Sequence, residues 1–239
     1  MLWICLLCFV FACNSEQIYE DLVVYHDELK LPDLPYDYNA LEPYIDEATM
    51  KVHHLGHHKT YGDNTNKALK EWRKGDPTSP LARSSIVQIL QKITEVPETW
   101  QVAIRNNGGG FVNHVIYWAT MCPGGGGSPS GELLMQISRS FGSYVAFQEH
   151  FTSAASKLFG SGYVWLCENA KGDLVITSSK NQDSPLSDGL YPLLVMDIWE
   201  HAYYLKHQNK RAGYIQSWWN IVCWDEVPKL QHFWHQNRN

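Results

Sequence analysis

Positive charge is in short supply in this chain. Its 239 residues carry 19 Lys and Arg against 25 Asp and Glu, a formal net charge of −6. That balance offers no basic surface to nucleic-acid phosphates and no overall attraction to an anionic substrate. No stretch reaches the twenty or so apolar residues that a membrane-crossing helix needs. Cysteine is scarce as well. Of six, Cys5, Cys8 and Cys13 sit in or beside an N-terminal apolar run, leaving Cys122, Cys167 and Cys223. An odd, widely spaced trio provides no disulfide framework; at most one pair forms, and buried free thiols are expected. The sequence has no Asn-X-Ser/Thr sequon, nucleophile elbow or His-Glu-x-x-His helix. Gly124 to Gly127 is followed by Ser-Pro rather than Lys-Ser/Thr, so it reads as an interdomain loop and not a phosphate cradle.

The apolar run Leu2 to Cys13 is too short to span a bilayer and fits the core of a secretory signal, cleaved after Ala12 or slightly beyond. Residues 1–15 are therefore expected to be a signal peptide, 16–30 an N-terminal extension, and the mature protein secreted and free of membrane. A mitochondrial presequence would be amphipathic and Arg-rich, which disfavours the mitochondrial matrix.

What the chain has is histidine and aromatic residues in suggestive places. Asp197-Ile-Trp-Glu-His201 puts a carboxylate and an imidazole four residues apart, behind the apolar run Leu193 to Met196. A buried Asp is costly unless paired or bound to a metal, and two readings stand equally: an Asp–His hydrogen bond or a pair of ligands. His53, His54, His57 and His58 crowd a segment with helical apolar spacing from Leu41 to Leu69. At three- and four-residue neighbour distances, His53, His57 and Tyr61 share one face, with His54 and His58 in a second row. A solvated face is the plainer reading of such a helix. His114, after Gly108 to Gly110, reads in isolation as a core histidine.

Taken together, the segments resemble the iron/manganese superoxide dismutase family from about Leu31 to Trp224. The resemblance rests on Leu31-Pro-Asp-Leu-Pro-Tyr-Asp-Tyr38, Asn107-Gly-Gly-Gly-Phe-Val-Asn-His114, Asn181-Gln-Asp-Ser-Pro185 and Asp197-Ile-Trp-Glu-His-Ala-Tyr-Tyr204, in that order. It implies His53, His114, Asp197 and His201 as metal ligands. Gln182 would hydrogen-bond the metal-bound solvent, and His57 with Tyr61 would stand at the substrate entrance. Trp199 would form an aromatic wall. Glu200 and Tyr204 would link two subunits of a homodimer or tetramer. His54 and His58 have no ligand counterpart and are read as structural or surface residues.

The implied reaction converts superoxide to dioxygen and hydrogen peroxide by one-electron cycling of one metal ion per subunit. Zinc lacks the redox chemistry. Gln182 together with Gly110 is the arrangement of most manganese members, so manganese is expected and iron is the alternative. The second peroxide proton is expected to pass through Tyr61, backed by His57. A zinc hydrolase would need a general base that is absent. A non-enzymatic binding module would have eroded ligands, and a metal store would depend on His54 and His58. Two positions depart from the family: Tyr163 stands where a Trp is usual, and Phe111 where manganese members often carry His.

The expected class is α+β. An N-terminal helical hairpin, residues 31–123, packs on a C-terminal domain, 124–239, with the metal site between them. The hairpin's helices are expected at about Leu41 to Arg73 and His114 to Thr120, with a short helix near Ser84 to Ile93. A helix from Gly131 to Phe159 should precede a small three-stranded antiparallel sheet surrounded by helices. Its strands are Tyr163 to Glu168, Leu174 to Ser178 and Leu193 to Asp197.

Overall fold

A computed structural model describes residues 16–238; the expected signal peptide lies outside them. The first described element, α1 (Glu16–Glu20), is not a loose extension. Ile18, Tyr19 and Leu22 are buried, and the Tyr19 hydroxyl donates to Glu226 at 2.6 Å, a residue of the last helix.

The first hairpin helix starts later than its apolar pattern suggests. Leu41 to Ile45 runs through turns containing the cis Glu42–Pro43 bond. Asp46 then caps α2 (Glu47–Lys51), accepting from the Thr49 amide at 3.3 Å and the Thr49 hydroxyl at 2.6 Å. The histidine-rich stretch Val52–His58 is a π-helix: the Lys59 N–H reaches back five residues to the His54 carbonyl. α3 (Lys59–Gly75) continues it. Ser85 and Gln88 form a reciprocal capping box at the start of α4 (Ile86–Gln91).

The second hairpin helix is much longer than the expected His114 to Thr120. It is α5 (Glu98–Ala119), and it runs through Gly108, Gly109 and Gly110. Each glycine lowers helix propensity by about 1 kcal/mol, so the triplet reads as a break in sequence. Packing overrides that cost. A Cβ on Gly108 would stand 3.0 Å from Ile86, one on Gly109 would collide with the Gln182 carbonyl oxygen, and one on Gly110 would sit 2.7 Å from the Tyr61 ring.

After the glycine loop, the single expected helix is two: α6 (Gly131–Phe141) and α7 (Tyr144–Lys157). Gly142, at φ 88°, breaks them, and Ser143 caps α7 through the Ala146 amide at 3.0 Å. The sheet consists of β1 (Gly162–Glu168), β2 (Leu174–Lys180) and β3 (Tyr191–Asp197), each slightly longer than expected. All pairings are antiparallel in the order β2-β1-β3. The apolar β1 is central and buried along its whole length, so it must be covered on both faces. In the β1–β2 turn, Asn169 accepts from the Lys171 and Asp173 amides at 2.8 and 3.0 Å.

α8 (Tyr204–His207), α9 (Arg211–Trp218) and α10 (Glu226–Asn237) close the domain. Trp218 stacks on Phe151 of α7 with centroids 5.8 Å apart, and Trp234 donates to the Pro192 carbonyl at 2.7 Å. Truncating a fully buried Trp of this kind costs about 3–5 kcal/mol. Met121 and Val222 form an isolated bridge tying the end of α5 to the C-terminal segment. The free thiols of Cys122 and Cys223 hydrogen-bond beside it, and Cys167 is a free thiol buried in β1.

Candidate metal centre

Four elements deliver one side chain each to a common point. The π-helix supplies His53, α5 supplies His114, the end of β3 supplies Asp197, and the turn after it supplies His201. One ligand-capable atom from each lies within 4.8 Å of every other. Asp197 Oδ2 stands 3.2 Å from His53 Nε2, 3.1 Å from His201 Nε2 and 3.8 Å from His114 Nε2. His53, His114 and Asp197 are buried, and His201 is nearly so. The four residues expected as ligands are thus brought together.

The surrounding hydrogen bonds prepare these atoms. His114 Nδ1 donates to the Gly110 carbonyl at 2.6 Å, which leaves a lone pair on Nε2. Asp197 Oδ1 accepts from the Trp199 amide at 2.8 Å, so Oδ2 is the oxygen turned to the histidines. His53 Nε2 and His114 Nε2 are buried without a hydrogen-bond partner. Unmet buried polar atoms cost free energy. A divalent or trivalent cation with a taste for nitrogen and oxygen would satisfy both, so the residues fit a metal ion.

The electrostatics agree. Burial lowers His53 to about 4, helped by the His201 imidazole, and lowers His114 well below its ordinary value. Burial alone would raise Asp197, but His201 and His53 outweigh it and hold the carboxyl below its usual range. The result is a neutral His53 and a neutral His114 beside one ionised carboxylate, the protonation that metal binding requires.

Gln182, buried on the loop after β2, sits beside this cluster. Its Oε1 accepts from the Tyr163 hydroxyl at 2.7 Å, and its Nε2 donates to the Tyr61 oxygen at 2.9 Å. Its backbone carbonyl accepts from Asn113 at 3.1 Å. Burial raises the half-buried Tyr61 phenol to about 12, with the Asp197 charge adding to it. Trp199 stacks on His201 at 5.3 Å and 11°, and its indole donates to the Asn181 carbonyl. His57 meets the site by stacking on His201 at 4.2 Å; among the described residues no hydrogen bond joins it to Tyr61.

His54 and His58 are structural, and the surface alternative does not hold: both are buried. His54 Nε2 donates to the Pro32 carbonyl at 2.8 Å and Nδ1 accepts from the Tyr38 hydroxyl at 2.9 Å, anchoring the segment Leu31 to Tyr38. His58 Nδ1 accepts from the Trp118 indole at 3.1 Å. Phe111 fills the space between His58 and the face of Gly62. Glu200 and Tyr204 are exposed, next to His201 in the chain.

Three contributors escape the sequence reading. Tyr117 and Trp118 flank His53, with centroids at 5.5 and 4.7 Å. Their positions three and four residues after His114 place them on the ligand face, a signal that helical spacing carries. Tyr214, whose hydroxyl lies 3.0 Å from that of Tyr117, has no local signal at all.

Comparison with known proteins places these features in context. Residues 28–122 match the family described as iron/manganese superoxide dismutases, alpha-hairpin domain, and residues 129–230 match its C-terminal domain. Superoxide dismutase (Mn) 1 of Leptolyngbya boryana is 48% identical over 200 residues, covering 83% of this chain and 78% of the relative. Superoxide dismutase (Mn) 3 of the same organism is 47% identical over 200 residues, with 84% and 81% covered. Superoxide dismutase (Mn) of Listeria monocytogenes is 47% identical over 200 residues, with 84% and 96% covered.

Proposed function

This chain belongs to the iron/manganese superoxide dismutase family, and we propose from that premise that the cluster of three His and one Asp is the catalytic centre of a manganese superoxide dismutase. Manganese, held by His53, His114, Asp197 and His201, supplies the one-electron chemistry that turns superoxide into dioxygen and hydrogen peroxide. The observation that carries this reading is the buried Asp197 carboxylate with three imidazole nitrogens converging on one of its oxygens.

The protein's own residues do the rest. Asp197 offsets one unit of metal charge, and the buried imidazoles stay neutral for binding. Gln182 presents an amide edge beside the cluster, and outer hydrogen bonds of this kind tune a metal's redox balance. Peroxide formation consumes two protons. Tyr61 is placed to pass one, because its oxygen already accepts from Gln182 and its own proton remains to be given. Gly110 makes room for that phenol. His57 and Trp199 support the exposed side of His201 by stacking.

Superoxide consumption by the chain lacking residues 1–15, loaded separately with manganese and iron, tests the assignment. Fast turnover with manganese is expected. No turnover from folded protein carrying either metal would overturn it.

Two further readings accompany it. Exposed Glu200, Tyr204 and Leu205, grouped next to ligand His201, support a homodimer or tetramer formed through that surface; sedimentation of the wild type against Tyr204→Arg tests it. The apolar N-terminal run supports secretion. Sequencing the native protein's N-terminus tests that, and finding Met1 intact would overturn it.

A further inference from the structure

Two of the cysteines meet where the hairpin touches the C-terminal domain. Met121 and Val222 pair across an antiparallel bridge between the end of α5 and the segment that leads into α10. Cys122 and Cys223 are the next residue on each strand. The Cys122 N–H donates to the Ile221 carbonyl and the Cys223 N–H to the Thr120 carbonyl, both at 2.9 Å. Successive side chains on paired strands turn to opposite faces. Met121 and Val222 are fully buried on one face. Both cysteines share the other, where each is half-buried and their thiols hydrogen-bond to each other.

Main-chain bonds hold the pair in place from both sides. The Gly126 N–H donates to the Val222 carbonyl at 2.9 Å, and the Glu226 N–H donates to the Cys223 carbonyl at 3.0 Å. Gly125 lies so close to this segment that a Cβ would stand 2.7 Å from the Val222 oxygen. Cys167 is placed differently. It is fully buried in the central strand, and burial pushes its thiol up, so it is sheltered from oxidants in solution. The contact with Cys122 together with burial also holds the Cys223 thiol protonated at neutral pH. Closure is then slow, which suits a lasting link and not a rapid sensor.

We propose that Cys122 and Cys223 are an oxidation site that closes to a disulfide tying the helical hairpin to the C-terminal domain. Gln182, Asp197 and His201 lie between the two cysteines in the chain, whereas His53 and His114 precede both. The bond would close a loop of about a hundred residues, fastening the segment with half of the metal cluster to the helix that carries His114. The oxidant is a small-molecule disulfide such as oxidised glutathione. One cysteine thiolate attacks it and expels one glutathione, and the second cysteine then displaces the other from the mixed disulfide. One S–S bond breaks and one forms. Two electrons pass from the protein sulfurs to glutathione, and the two thiol protons leave with the two glutathione molecules. The inference does not rest on the dismutase reading.

The full chain, equilibrated in mixtures of reduced and oxidised glutathione, is alkylated, digested and mapped by mass spectrometry. A peptide linking Cys122 to Cys223 is expected, with Cys167 alkylated as a thiol. Thermal melts then compare oxidised and reduced wild type with the double variant Cys122→Ser, Cys223→Ser. Oxidation is expected to raise the wild-type midpoint by about 10 °C and to leave the double variant unmoved. Alkylation of both cysteines in the most oxidising mixture would overturn the proposal. Glutathione retained on either, or linkage of either to a different cysteine, would do the same, as would a linked peptide with no rise in the midpoint. The mapping uses wild-type protein alone, so it decides the pairing whether or not the double variant folds.

Discussion

Tyr163 and Asp197 are direct partners across the β1–β3 ladder. Side chains of paired residues project from the same face of a sheet. One pair of strand bonds therefore fixes both the carboxylate that faces the histidines and the phenol that holds Gln182. Residues far apart in the chain become one unit, and the first consequences concern that unit.

Replacing Asp197 by Asn keeps the shape and removes the charge. The three imidazoles would then face a neutral amide, and the buried ligand set would no longer offset a cation. Manganese affinity is expected to fall by at least about 100-fold, since even partners outside the ligand set carry 10–100-fold effects. Metal analysis after dialysis checks this, with circular dichroism confirming that the variant folds.

Gly110→Ala is expected to destabilise the protein although alanine is the better helix former. The gain of about 1 kcal/mol in propensity is opposed by a Cβ placed 2.7 Å from the Tyr61 ring. Overpacking of this kind costs about 1–3 kcal/mol. Denaturant melts should show a lower midpoint, and kcat should fall because Tyr61 is pushed from Gln182. An unchanged or higher midpoint would contradict the close approach.

The metal-free protein should lose stability as pH falls, in two stages. His53 is lowered to about 4 in the fold, whereas an unfolded histidine titrates near 6.5. Between those values the unfolded chain binds a proton that the folded chain refuses, so stability drops by up to about 3 kcal/mol. Below about 4 the depressed Asp197 adds a loss of the same sign. Urea melts between pH 8 and 4 measure the first stage. Bound manganese should keep or steepen this first stage, because ligation holds the folded imidazoles unprotonated while the unfolded chain still takes up protons.

Tyr19→Phe probes the N-terminal turn. It removes the 2.6 Å hydrogen bond to buried Glu226, a contact between the two ends of the described chain. A hydrogen bond to a charged group contributes about 1.5–3 kcal/mol. Thermal melts should drop accordingly, while kcat per bound manganese stays at the wild-type value.

Local patterns in the chain were enough to place the ligand types, the strands and the interdomain glycine loop. His53 with His57, and Asp197 with His201, are set by spacing alone, because helical and turn geometry act over a few residues. The apolar runs around Val164 and Leu194 foretold buried strands for the same reason. Helix limits were less legible. Gly108 to Gly110 carry a local penalty whose compensation comes from Ile86, Tyr61 and Gln182, all distant in sequence. The π-helical turn at Val52–His58 was equally hidden, since its apolar spacing is that of an ordinary helix.

The sequence by itself determined which side chains this protein has for holding a metal, and the order in which they come. Only the tertiary structure decided that three imidazole nitrogens meet one carboxylate oxygen, that His54 and His58 are buried anchors, and that Tyr163 reaches Gln182. Spacing along one element is governed by local backbone geometry. Convergence between elements depends on packing a π-helix, α5 and a three-stranded sheet around one buried charge, and no local pattern carries that information.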